Sequence, residues 1–546
     1  MKPWEIYPPS SRFNEVKGSL RRLVILAAAT ALVACGTDEP TESSDVADAE
    51  AESEASLKGG IEWFAGSVDE ALAAAADTGK PVYLYWGAVW CPPCHAISAT
   101  IFKSPEFIER SKLFVPVYLD GDTVNAQAYA EKFGVRGYPT MIVFDPAGVE
   151  LTRIPGGIDL QAYASILDLT LNDASPASEL VDSLMSDEVE LSPSECRLLA
   201  YYSWGQDTRI LVGKDAGAAF ERMHRACPEK MRIERSILYM SLLDKMLQAA
   251  ADVENPVALT ERSKSEALQQ FQTVLANIEL VKANIFTVLL SGARYIAALT
   301  DQDSEERQRL SSDYRRVLVQ IAADESVYKR ERIYALAGKI RLERMEDPER
   351  ELSADLQQEI RNTVTWADTS TPSVYERQPI INALANVLNE AGMDDLAKPL
   401  LLAELEKSRQ PYYFMVVLAD IEQRSGNSDA AMEWLRQAHD VAKGPATRFQ
   451  WGYYYVNGLL EMAPTATSLI HDTTVALIDE LQNSSGFYQR PKAQLTRLQS
   501  RLTEWGTENE QQSELARIRD SVLVVCANST GSDGSREACE SFLEQI

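Results

Sequence analysis

The residues best suited to chemistry stand together in Trp90-Cys91-Pro92-Pro93-Cys94. Disulfide exchange requires a thiolate, and a free thiol with a pKa near ~8.5 is mostly protonated at neutral pH. The apolar periodicity predicts a helix that begins at this motif and continues through Ile97 and Ile101. A cysteine at its start meets unpaired N–H groups and the positive end of the macrodipole. In such settings thiol values fall to roughly 3.5–7.5. Pro92 and Pro93 fit the first turn, where a missing N–H costs nothing. Cys94 follows one turn later, close enough to attack a mixed disulfide formed by its neighbour. These considerations make Cys91 the nucleophile and Cys94 the resolving thiol. The competing reading of a CxxC pair is a metal site, which needs two further ligands at suitable spacing. The chain has 4 histidines, and of these only His95 is nearby, so neither zinc nor copper is assigned and no cofactor is expected. His95 itself is expected on a solvated helix face, and Trp90 beside the cysteines.

Several elements must hold this motif. A helix is expected from about Val68 to Asp77, broken by Gly79-Lys80-Pro81. Val82 to Trp86 is a short apolar strand run, and Leu113 to Leu119 is a second, weakened by Pro116. Asn125 to Phe133 reads as a helix. Met141 to Phe144 and Glu150 to Ile154 form a strand pair across the turn Asp145-Pro146-Ala147-Gly148. A helix from Asp159 to Leu171 closes the unit, taken as residues 60–171. A second motif, Arg136-Gly137-Tyr138-Pro139-Thr140, puts a proline at the head of a buried strand, where none is expected without a special reason.

The order β-α-β-α-β-β-α around a CxxC resembles the thioredoxin-like domains. The likeness is strongest to exported ones, through Trp63, Ala71, Gly79-Lys80-Pro81 and Trp90-Cys91-Pro92-Pro93-Cys94. The resemblance implies an α/β thioredoxin fold and a thiol–disulfide oxidoreductase acting on protein thiols and disulfides, served by an upstream redox partner protein. It also implies a cis Tyr138–Pro139 bond facing the cysteines, with the Tyr138 backbone pairing an incoming peptide as an added strand. Trp90, Tyr138 and Pro139 are then the substrate-binding residues. The sequence departs from the family at one position. A buried Asp six residues before the first cysteine is common there, and Tyr85 stands in its place. A phenol with a pKa near ~10 is a poor base at neutral pH.

Before this unit, Arg21-Arg22 precede an apolar run from Leu23 to Ala34, as in a secretory signal. The run is too short to span about 30 Å of hydrocarbon. Leu32-Val33-Ala34-Cys35 resembles the bacterial lipobox, which implies cleavage before Cys35, its acylation and a membrane anchor. Residues 1–35 are therefore read as a lipoprotein-type signal. The preceding stretch is long for such a leader, and translation is expected to begin nearer Val16 or Leu20. Residues 36–59 are acidic and poor in apolar groups, and read as a flexible tether. The expected location is extracytoplasmic, facing the periplasm. A net charge of -28 argues against nucleic acid, which needs clustered Lys and Arg.

At 546 residues, with 45% hydrophobic and 25% charged residues, the chain exceeds a single core. Residues 175–546 read as helical almost throughout. Leu384, Ala385, Gly392, Ala397 and Leu401 recur 34 residues on as Leu418, Ala419, Gly426, Ala431 and Leu435. That is the tetratricopeptide period. An all-α solenoid of tetratricopeptide-like pairs is expected, clearest at 376–442, that selects partners or acts as a scaffold. Asp301 to Glu306 is expected to be solvated, and Trp451 to Tyr455 core. The remaining cysteines are Cys196, Cys227, Cys526 and Cys539. Short intervening segments favour Cys196–Cys227 and Cys526–Cys539 as disulfides in an exported protein. Four free buried thiols are the alternative.

Overall fold

A computed structural model describes residues 60–528 except 89–90, 122, 136, 157, 159, 173, 187–188, 208, 253–255, 409, 444 and 484–488, together with 539 and 542. The expected signal, Cys35, the tether and Trp90 lie outside the described residues. The first helix, α1 (Val68–Thr78), starts at a capping box in which Ser67 and Glu70 satisfy each other's backbone N–H. It stops at Gly79, whose φ of 68° is the left-handed conformation that favours glycine. Pro81 then prevents resumption, and β1 (Val82–Gly87) follows.

The remaining elements of this domain are α2 (Pro92–Ile97), a π-helical turn (Ser98–Phe102), α3 (Pro105–Ser111), β2 (Val115–Asp120), α4 (Val124–Phe133), β3 (Thr140–Phe144), β4 (Glu150–Ile154) and α5 (Leu160–Thr170). The sheet order is β2-β1-β3-β4. β1 runs parallel to β2 and antiparallel to β3, and β3 antiparallel to β4. Pro116 is tolerated because β2 is an edge strand. All six residues of β1 are buried, because both sheet faces are covered. Val82, Leu84 and Trp86 pack against α1 and α4, and Tyr83 and Tyr85 pack against the other helices with Phe102, Phe107 and Tyr163. This is the thioredoxin-like α/β fold, and everything described after it is helical.

Of those helices, α6 (Pro193–Ala200) and α7 (Ala216–Ala226) are joined by a Cys196–Cys227 disulfide, with Cys227 capping α7. Among the described residues seven further helices, from Arg232–Ala250 to Ala354–Thr369, lie between α7 and α8 (Val374–Ala391). Next come α9 (Asp394–Leu405), α10 (Tyr412–Arg424) and α11 (Ser428–Val441). α12 (Gln512–Ala527) carries Cys526, bonded to Cys539. The 34-residue pattern corresponds to two equivalent hairpins, α8–α9 and α10–α11. Gly392 and Gly426 have φ of 73° and 79°. Each makes the same paired cap, Met393 N–H to Leu388 O and Asn427 N–H to Glu422 O at 2.9 Å. Ala397 and Ala431, at equivalent positions of α9 and α11, are fully buried. The run Asp301 to Glu306 is mostly exposed, and Trp451 and Tyr455 are buried.

Candidate redox site

Cys91 is the N-cap of α2 and is bonded to Cys94, with their Cα atoms 5.2 Å apart. The Cys94 backbone N–H points at Cys91 Sγ at 3.2 Å, while Cys91 O accepts from the N–H groups of Cys94 and His95 at 3.0 and 3.1 Å. The first sulfur thus occupies the place where helix-terminal donors favour an anion. The Tyr138–Pro139 bond is cis. Gly156 lies where Pro139 and α2 converge: a Cβ there would stand 3.0 Å from the Pro139 ring and 3.2 Å from Ile97. Tyr138 donates its hydroxyl to Gly121 O at 3.0 Å.

Tyr85 is buried, and its hydroxyl has no hydrogen-bond partner. Burial, reinforced by Tyr118 and Tyr163, pushes its phenol well above the ordinary tyrosine range. It therefore supplies no base for Cys94. His95 corrects the expectation of a solvated face, since it is only 4% exposed. α8 packs on the helix that carries it.

Two features of the site carry no local sequence signal. The first is the segment Ser203–Arg209, beyond the expected domain end at residue 171. Ser203 N–H donates to Arg153 O of β4 at 2.9 Å. Gln206 Nε2 donates to Pro139 O at 2.6 Å, and its Oε1 accepts from Ser203 Oγ at 3.2 Å. Asp207 lies 3.2 Å from the fully buried Arg153. Burial raises the Asp207 carboxyl, but hydrogen bonds from Arg209 and the charge of Arg153 outweigh it, leaving a pKa of about 2.

The second feature is the cover. α8 packs on α2, and Ala88, Cys91 and Cys94 join one apolar cluster with Tyr412, Met415 and Val416 of α10. Cys91 and Cys94 are 2% and 1% exposed.

No group of three His, Cys, Asp or Glu suited to a metal ion occurs among the described residues. His471 lies between Asp472 at 2.8 Å and Ser521 at 3.0 Å. Ser521 sits inside α12, where backbone N–H groups are engaged in the helix and cannot hold an oxyanion.

A sheet with a CxxC at a helix start and a cis-proline before β3 defines a thioredoxin-like domain. The family signature of that domain matches residues 68–170. Thioredoxin H4 of Arabidopsis thaliana is 33% identical over 95 residues, covering 17% of this chain and 74% of that protein. Thioredoxin of Pyropia yezoensis is 30% identical over 88 residues, covering 16% of this chain and 78% of that protein. Through this domain the chain belongs to the thioredoxin family, a family of thiol–disulfide oxidoreductases. Thiol:disulfide interchange protein DsbD 1 of Pseudomonas aeruginosa is 31% identical over 104 residues, 18% of each chain. The chain thus spans under a fifth of that relative's length.

Proposed function

We propose that this chain is an extracytoplasmic protein-disulfide oxidoreductase in which Cys91 is the nucleophile and Cys94 the resolving thiol. The observation that carries the reading is the Cys91–Cys94 bond at the start of α2, beside the cis Tyr138–Pro139 loop. In the reducing direction, the Cys91 thiolate attacks one sulfur of a client disulfide. An S–S bond forms to Cys91, and the other client sulfur leaves as a thiolate that takes a proton. Cys94, losing its proton, then attacks Cys91 Sγ and releases the second client thiolate. The client gains two electrons and two protons, and Cys91–Cys94 is left oxidised. An upstream dithiol protein returns it to the dithiol, and the reverse sequence oxidises a client dithiol. The reduction potential sets the direction.

The helical region serves as a partner-selecting array of tetratricopeptide-like pairs, on the strength of the two equivalent hairpins. Membrane attachment through an acylated Cys35 follows from the lipobox-like tetrad after the apolar run. No helix among the described residues is long and apolar enough to cross a membrane. Cys35→Ser is expected to abolish partitioning into detergent, and unchanged partitioning removes the anchor.

Cys94→Ala blocks only the second step, so adducts through Cys91 are expected to accumulate on non-reducing gels. Cys91→Ala is expected to trap nothing. A lack of Cys91-dependent adducts favours the second reading, a scaffold whose helices do the work. The burial of both cysteines is what speaks for that alternative.

A further inference from the structure

Both surfaces that a client must reach in the proposed reaction are occupied by this chain's own C-terminal region. Gln206 takes the Pro139 carbonyl beside the cis bond, and α8 lies on the CxxC helix. A nucleophile at 2% exposure cannot enter in-line attack on a protein disulfide.

The face of α8 turned to the cysteines is identifiable. Its apolar residues Ile380, Ile381, Leu384 and Leu388 belong to the core built with the preceding helices. None of them shares the cluster that contains Cys91 and Cys94. The opposite stripe carries Gln378, Asn382 and Asn386, spaced four apart and therefore on one side of the helix. Asn389 continues that stripe and donates to Asp420 of α10 at 2.8 Å, the helix whose other side chains join the cysteine cluster. Gln378 and Asn382 are 5% and 2% exposed, and the amide nitrogens of all three stripe residues lack a hydrogen-bond partner. A buried donor without an acceptor raises the free energy of the state that buries it. The closed contact therefore carries a built-in penalty that solvation, or the carbonyls of a client main chain, would relieve.

We propose that α8 is a displaceable cover. When closed it seals the Cys91–Cys94 pair; when open it exposes Cys91 together with the Gln378–Asn382–Asn386 amide stripe. The inference rests on the redox reading of the cysteines.

The test uses the full chain, reduced mildly so that Cys91 and Cys94 are free, with labelling by iodoacetamide and by a polymer-bearing maleimide followed by peptide mapping. Wild-type Cys91 is expected to react far more slowly than a free thiol with both reagents. Asn382→Arg, which puts a charge into the closed contact, is expected to speed labelling by about tenfold or more. Asn382→Leu replaces an unpaired amide by an apolar group of similar size and is expected to slow it. This second variant keeps the test decisive if the first fails to fold. Wild-type labelling at free-thiol speed, or equal rates in wild type and Asn382→Leu, overturns the cover. A Cys91 that is labelled rapidly in Asn382→Arg, yet forms no mixed disulfide with a small aromatic disulfide in that variant, overturns the redox reading instead and leaves the accessibility result standing.

Discussion

Tyr85 shows how little a buried polar atom contributes when nothing receives it. Its hydroxyl is sealed in the aromatic layer with no partner, so removing it forfeits no hydrogen bond. Tyr85→Phe is expected to leave stability unchanged or raised by up to about 1 kcal/mol. It should also leave the exchange rate of the cysteines unaltered, as read by denaturant midpoints and a dithiol turnover assay. A large loss of rate would give the phenol a role in proton transfer that its raised pKa opposes. Asp207 is the opposite case. Its folded pKa of about 2 lies below the ordinary carboxyl value near ~4, so the carboxylate stabilises the folded state. That contribution is complete above the unfolded value and is lost as pH falls through the folded one. The shift corresponds to roughly 2–3 kcal/mol, fading between about pH 4 and pH 2. Asp207→Asn should lower the unfolding midpoint at pH 7, and the gap from wild type should close towards pH 2. A constant gap across that range contradicts the linkage.

At the scale of elements, the helix ties are testable individually. Replacing Cys196 and Cys227 by alanine frees α6 from the end of α7, and the chain-entropy account predicts a loss of about 4 kcal/mol. Thermal unfolding with non-reducing peptide mapping reads it; an unchanged midpoint would remove the bridge from the stability of this region. The sequence shows the strands of the redox domain plainly, because β1 and β3 are unbroken apolar runs closed off by Gly79-Lys80-Pro81 and Asp145-Pro146-Ala147-Gly148. The two hairpins are legible for a similar local reason: small residues and a glycine recur at one spacing. What escapes is anything decided by a distant surface. Gln378 and Asn382 are buried, although amides spaced four apart usually mark a solvated helix face, and nothing near them in sequence announces it. His95 is misread because no residue near it in sequence announces that α8 packs on its helix. Gln206 and Asp207 sit in a short loop whose composition carries no sign that β4 and Pro139 are its partners.

At the scale of the molecule, the junction between redox and helical regions is not a simple linker. Cutting at residue 171 removes Asp207 from Arg153 and Gln206 from Pro139, leaving the buried guanidinium with Glu150 and the Phe133 carbonyl as its partners. A piece spanning 60–171 is expected to lose about 1.5–3 kcal/mol relative to one spanning 60–228, which keeps the Asp207 pair and the Cys196–Cys227 bridge. Parallel denaturation curves decide it, and coincident midpoints would make Ser203–Arg209 dispensable.

The two attachments, Ser203–Arg209 on the sheet and α8 on the CxxC helix, have a topological consequence. An open helical array tolerates the gain or loss of a repeat, because only its end moves. Here the helices between the two attachments form a closed circuit that begins and finishes on the same small domain. Adding one hairpin within that circuit would swing α8 off the cysteines, whereas adding one beyond α11 would leave the circuit whole. The number of helices up to α10 is therefore a structural constant of this protein, and the number after α11 is not.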